Sequence, residues 1–448
     1  MPFSSNSNQQ VLNSLLNSFF GLILFWFLLA FFVPKDSSPE ITLTFTFICG
    51  LVALAYVLCM SKRDRMLNDK LILFALLVFT VRVSIGILHY CLAFGVDYFS
   101  ELSPDFQYLT DYEWLHNTMS EIASNWAKHG FGSFPDNYFF EHKNVLLHPY
   151  LSLLYYLTGN NHYLNITVVN ALHSALVAFL VSSLVLSDGH SKTLKAVFVV
   201  ALFQPFGLFS SIMWRDSVGQ FFLVCGSLLI TQLLESRQKM FRIIFGSLFL
   251  SSLRNIYFVI GVITGLASAL HNKKITTGKV IGSIVSASIL LFVLSSLSVG
   301  MFSFYDFGSN DLAYRQDFIG LIKRFFIGFT GPFPWTQIFD PNIRGREYLL
   351  PEVLQAVFSM AVYYFICLAF VNRKMVLTDS CRLLLFLVFM VTIVGLLGYG
   401  HISYTTVSTI LLLPLIPRLD VSQFFTVFSC ILVFVFLAGV LWRPFLYA

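Results

Sequence analysis

The chain has 448 residues, 57% of them hydrophobic, 17% aromatic and 11% charged, with a formal net charge of +5 at pH 7. A soluble enzyme is excluded, because apolar runs long enough to cross roughly 30 Å of hydrocarbon recur from end to end. An outer-membrane barrel is excluded too, since stretches such as 19–33 and 281–297 are far too long and continuously apolar for strands.

The fold class is therefore an all-α polytopic membrane protein. Residues 1–10 carry no Lys or Arg, and the apolar run that follows is as long as a span, so it is expected to persist as the first helix rather than be cleaved. Basic loops stay on the cytoplasmic side, and five short polar stretches are basic: 62–70, 192–195, 237–242, 273–279 and 373–382. Placing all five inside predicts spans near 12–33, 41–60, 71–94, 164–187, 196–213, 217–234, 241–253, 256–270, 280–299, 351–371, 383–399, 404–417 and 422–441. That is about thirteen helices in one integral membrane domain over 1–448, with the N-terminus inside and the C-terminus outside. Alternation of the spans requires 241–270 to be two short helices meeting at Arg254-Asn255, which lifts Arg254 out of the hydrocarbon. A buried arginine would cost about 2.5–3.5 kcal/mol there.

Two large loops, 95–163 and 300–350, fall on the same exoplasmic side. Eight of the chain's 23 acidic residues lie between 95 and 149, with only two lysines, so this first loop is the candidate catalytic segment. Within it, 115–131 reads as an amphipathic helix lying on the membrane, with Leu115, Met119, Ile122 and Trp126 on one face. The apolar stretch 150–157 is too short to span. It is expected to be an interfacial or re-entrant helix begun by Pro149 in its first turn.

The run Asp105-x-x-Tyr108, the helix ending Lys128-His129-Gly130-Phe131, the segment from His148-Pro149-Tyr150 to Gly159-Asn-Asn, and the span containing Asn170 together resemble the first-loop module of polyprenol-dependent glycosyltransferases of the GT-C superfamily. The resemblance covers roughly 97–190. It implies a glycosyltransferase that uses a polyprenyl-phosphate-linked sugar on the exoplasmic face of the cytoplasmic (inner) membrane, in assembly of a cell-surface polysaccharide or glycolipid. The expected partners are that lipid-linked donor, a glycan or glycolipid acceptor and the bilayer, with no nucleic acid. Two extra spans precede the acidic loop here. No Asp-x-Asp or Asp-Glu pair stands at Asp105, so a divalent metal is left open and no cofactor is predicted.

Transfer from a lipid-linked phosphate needs a carboxylate to take the acceptor's proton and cations to absorb charge on the leaving phosphate. Asp105 is the candidate base and Asp111 and Glu113 are the second choices, with Tyr108 and His148 as candidate substrate ligands. Lys323, Arg324, Arg344 and Arg346, with Arg315, are candidate phosphate ligands in the second loop. Trp335 lies in a proline-locked aromatic stretch that either covers a sugar or prenyl chain or forms an interfacial belt. Arg215, next to Asp216, either recognises a polar ligand or is neutralised by its neighbour, and Arg254 carries the same ambiguity. His116, His129, His142 and His148 match no metal spacing and are expected to cap or hydrogen-bond. Arg82 is expected to face the bundle interior. No nucleotide-binding motif is present, which disfavours a nucleotide-sugar donor. Two alternatives stand beside the transferase: a Wzy-type repeat-unit polymerase, similar in length, aromatic content and paired outer loops, and a lipid-linked glycan flippase.

Overall fold

The computed structural model describes residues 5–35, 37–63, 69–94, 109–135, 138, 146–160, 162, 164–187, 216–231, 239–252, 256–270, 346–372, 379–399, 409–416 and 421–446. Among these residues all regular structure is helical. In chain order the helices are α1 (Ser5–Phe32), α2 (Pro39–Arg63), α3 (Asp69–Phe94), α4 (Leu109–His129), α5 (Leu147–Thr158), α6 (Leu164–Ser187) and α7 (Asp216–Thr231). They continue with α8 (Lys239–Ser251), α9 (Ile256–Leu270), α10 (Arg346–Val371), α11 (Asp379–Tyr399), a 3-10 helix at Ile410–Leu415 and α12 (Val421–Leu446).

The described helices include four long and apolar enough to cross a membrane: Val11–Phe32, Pro39–Ser61, Leu164–Ser182 and Ser422–Leu441. Shorter apolar stretches lie in α3, α7, α8, α10 and α11. Helices are what hydrocarbon permits, since every backbone group must find its partner inside its own segment. Hydroxyls within the spans follow the same rule. Ser18, Thr46, Ser182 and Thr264 each donate to the carbonyl four residues earlier, at 2.6–2.8 Å. Phe20, Ile23, Phe27 and Phe31 are exposed at helical spacing along one side of α1, an apolar stripe that suits lipid and would be a liability in water.

The chain divides into two compact units. The first, Phe3–Asp188 with Phe198–Phe222, is centred on α6, which is buried throughout Leu164–Ser182. Helices α1, α2, α3 and α5 all pack on it. Arg82 on α3 is 3% exposed and so lies inside the protein, as its position in an apolar run requires.

The second unit contains the rest of α7 and everything from α8 onward. Its helices α8 and α9 pack closely on each other, as the two short helices expected over 241–270, with α8 ending at Ser251 and α9 beginning at Ile256. Glycines set their spacing: a Cβ on Gly261 would stand 2.6 Å from Ser247 Oγ, and one on Gly265 would stand 2.6 Å from the Ile243 side chain. Helix α9 in turn packs on α11, with the Tyr257 hydroxyl donating to the Val391 carbonyl at 3.3 Å. Helix α10 packs on α12.

Two expectations are altered. The described part of the expected span 404–417 is a 3-10 helix, and Ile416 is already extended. Pro414 has no N–H to give, and Pro417 turns its predecessor away from the α region. The apolar face of α4 does not rest on the bilayer. Leu115, Met119, Ile122 and Trp126 are buried within the protein, and α4 packs along α5. Both arrangements cover an apolar face, and here the neighbouring helix supplies the cover.

Candidate functional site

A hydrogen-bonded relay crosses three helices of the first unit. The Trp26 indole N–H on α1 donates to the Tyr150 hydroxyl on α5 at 3.1 Å, and that hydroxyl lies 2.8 Å from His173 Nε2 on α6. His173 Nδ1 lies 2.7 Å from the Val169 carbonyl. A carbonyl only accepts, so Nδ1 carries the hydrogen, Nε2 of the neutral ring accepts, and the tyrosine donates to it. Edge-on ring contacts accompany the bonds: Trp26 to Tyr150 at 5.3 Å, Tyr150 to His173 at 5.5 Å, and Tyr150 to Phe222 of α7 at 5.1 Å. Such ring pairs add about 0.5–1.5 kcal/mol each beyond the area they bury.

The relay fixes the depth of α5. At its C-terminal end Gly159 takes a left-handed conformation, φ 66°, and its N–H closes on the Tyr155 carbonyl. Just beyond, the Asn160 side-chain amide donates to the Ser37 carbonyl at 2.8 Å, level with the turn between α1 and α2. The other end of α5 sits well below that level. Trp26 is six residues before the end of α1 and His173 nine residues after the start of α6, depths of about 9 and 13 Å at the helical rise. Helix α5 therefore dips into the bundle from the end where α1 closes and α6 opens. Pro149 stands in its first turn, where a missing N–H costs nothing.

Above the relay lies a pair of desolvated histidines. His116 Nδ1 on α4 is 3.0 Å from the Tyr155 hydroxyl, and His162 Nδ1 accepts the Leu164 N–H at the start of α6. Burial pushes the pKa of each down to about 4, and for His162 the nearby His116 lowers it further while Glu40 acts the other way. Both rings are neutral at pH 7, as the acceptor role of His162 requires. An aromatic cluster closes the outer side: Trp126 meets Phe131, Phe134 and Tyr156 at 4.7, 6.3 and 5.7 Å. Phe131, in a turn between the positive-φ residues Gly130 and Gly132, is 66% exposed.

One face of α6 carries a second polar feature. Thr167, Asn170 and Ser174 follow one another at spacings of three and four, so they share that face. Ser174 hydrogen-bonds Ser217 at the start of α7, at 3.2 Å, which turns the face toward the opening of α7. Asn170 is 0% exposed, and among the described residues neither its oxygen nor its nitrogen has a hydrogen-bond partner, and neither does the Thr167 hydroxyl. Each such group costs about 1–3 kcal/mol when left unmet.

Most residues singled out from sequence, namely Asp105, Tyr108, Arg215, Arg254, Arg315, Lys323, Arg324, Trp335 and Arg344, lie outside the described residues. Asp111 falls in the first turn of α4, five residues before His116. Arg346 opens α10, in the other unit. His148 lies in the first turn of α5 and is buried. Among the described residues no three His, Cys, Asp or Glu side chains gather as a metal site. Trp26, Tyr150, Asn170 and His173 were not singled out from sequence as site residues. A signal was present: an amide and an imidazole three residues apart inside a span, where polar groups are costly and tend to face a ligand or partner.

Comparison with known proteins returns no matching family model, no matching curated protein and no matching solved structure.

Proposed function

We propose that the chain is an integral membrane glycosyltransferase, resembling GT-C enzymes, that takes a sugar from a polyprenyl phosphate on the exoplasmic face of the cytoplasmic membrane. The observation that carries this reading is the α4–α5 assembly. An amphipathic helix lies within the acidic segment and packs on the short helix that follows it, and that short helix is hydrogen-bonded into α1 and α6. A loop anchored in this way presents fixed groups to a lipid-linked substrate, and fixed geometry is a large part of what a transferase needs.

In this reading about thirteen spans place 95–163 and 300–350 on one side. Asp105 takes the acceptor's proton, while Arg324 and Arg344 balance the charge of the departing phosphate. A Wzy-type polymerase would use the same parts on a longer acceptor. A flippase is favoured by one specific observation: α5 begins inside the bundle and α7 begins beside the middle of α6, and short helices with an end in the interior are a feature of transporters.

The test compares lipid-linked glycans and surface polysaccharide of a deletion strain with those of the parent. A sugar missing from each repeat supports the transferase, single-unit chains the polymerase, and intact units accumulating on the cytoplasmic side the flippase. An Asp105→Asn variant should reach normal abundance and lose about 10²–10⁴-fold in turnover. Equal loss in Asp111→Asn and Asp136→Asn would remove Asp105 from the role.

A further inference from the structure

We propose that the turn closing α4, residues 128–132, anchors the protein to the surface of an anionic membrane, with the Phe131 ring between head groups and acyl chains and the Lys128 ammonium on lipid phosphate. The Phe131 ring lies 5.8 Å from that of Tyr156, which stands two residues before the end of α5, about 3 Å along its axis. That end is tied through Asn160 to Ser37, between the apolar segments Val11–Phe32 and Pro39–Ser61. Phe131 is therefore held at the level where two helices long enough to cross a membrane leave the hydrocarbon. Trp126 and Tyr156 stand at the same level, that of an interfacial aromatic belt.

The turn keeps its shape without help from the ring. The Ser133 hydroxyl donates to the carbonyls of Gly130 and Asn125, at 2.7 and 3.2 Å, and the left-handed Gly130 and Gly132 carry the chain around Phe131. Trp126 behind it is buried, while Phe131 presents two thirds of its surface outward. Lys128 and His129 are exposed in the last turn of α4, and no acidic residue occurs between Glu121 and Asp136. A lysine beside an exposed aromatic suits an anionic bilayer: its stem lies along the acyl boundary and its ammonium reaches the phosphates. A soluble acidic partner would match the lysine, but the ring is held at the level that lipid head groups occupy.

The experiment places trifluoromethylphenylalanine in place of Phe131 in the full chain, in nanodiscs of phosphatidylcholine with and without phosphatidylglycerol. Fluorine relaxation is read with a lipid carrying a nitroxide near the top of its acyl chain, and separately with a water-soluble gadolinium chelate. The same label in place of Phe27, exposed on α1, gives the acyl-chain reference. At residue 131 the lipid nitroxide should act more strongly than the chelate. Phosphatidylglycerol should raise that preference about fivefold, the effect of one cation near an anionic surface, and Lys128→Gln should abolish the rise. Stronger action by the chelate overturns the proposal. So does shielding from both reagents, which would mean that a protein surface covers the turn. A missing rise, or one that survives Lys128→Gln, overturns it as well. Lipid contact persists when helices separate within the membrane, so it is read as a position and not as folding stability. The measurement needs no turnover and is independent of the transferase reading.

Discussion

In the first unit α5 is held to α1 and α6 by polar side chains, through the Trp26–Tyr150–His173 relay and the Asn160–Ser37 bond. In the second unit α8 is held to α9 and α7 by the lack of side chains. Gly226 on α7 faces Gly246 on α8, while Gly261 and Gly265 on α9 lie against Ser247 and Ile243 of α8. Lipid tails are as apolar as the helices, so association has to come from close packing or from hydrogen bonds. Close packing suits a hairpin whose partners are adjacent in the chain. Hydrogen bonds add direction, and they position a short helix that must stop at one depth.

The contrast makes its strongest prediction at Gly226. A Cβ there would meet the Gly246 backbone carbonyl at 2.5 Å, and backbone cannot rotate away. Gly226→Val should therefore destabilise the protein by about 3 kcal/mol, the upper part of the overpacking range, read as a lower unfolding midpoint in detergent. A near-neutral result would mean that the glycine contact does not hold these helices.

Tyr150→Phe keeps the ring contacts but deprives Trp26 of its acceptor and His173 of its donor. The expected loss is about 2 kcal/mol. Adding Trp26→Phe should cost less in this background than in the wild type, because its partner is already gone, and strict additivity of the two would show the relay to be idle.

The histidine pair predicts a pH effect. Folded His116 and His162 have pKa values near 4 against an ordinary value of 6.5, so between these limits the unfolded chain binds more protons than the folded one. Stability contributed by their neutral forms is complete above 6.5 and falls as pH drops toward 4. The double variant His116→Gln, His162→Gln should show a flatter unfolding midpoint between pH 6.5 and 5 than the wild type. Identical profiles would mean that the two rings titrate normally.

The smallest effect is expected at Phe131, whose exposed ring leans on Trp126 from a glycine-flanked turn. Phe131→Ser should change stability by no more than about 0.5 kcal/mol. A larger loss would show that the ring is buried against protein.

The long apolar runs were legible because length and composition suffice for them. Helices α1, α2, α3, α6 and α12 begin and end within a few residues of the expected spans, α1 starting earlier at Ser5. The α8–α9 break was legible for a different reason: Arg254 has to leave the hydrocarbon, and a hairpin is the inexpensive way out. The site was much less legible. The charged loop residues that stand out in the sequence lie mostly outside the described residues. The relay and the Asn170 face are built from neutral side chains scattered among apolar ones. His173 stood out no more than any other polar residue within a span until Tyr150 and Trp26 came to lie beside it.

The sequence by itself determined that this is a helical protein with apolar helices long enough to cross a membrane, that α4 has one apolar face and that α5 is too short to cross. Tertiary structure decided that α4 lies against α5, that α5 enters the bundle, and that an amide near the start of α6 is buried with no partner among the described residues. Periodicity records that a face must be covered, and length records what can span. Neither records which surface provides the cover, because that depends on contacts between residues more than a hundred positions apart, such as Trp26 and Tyr150.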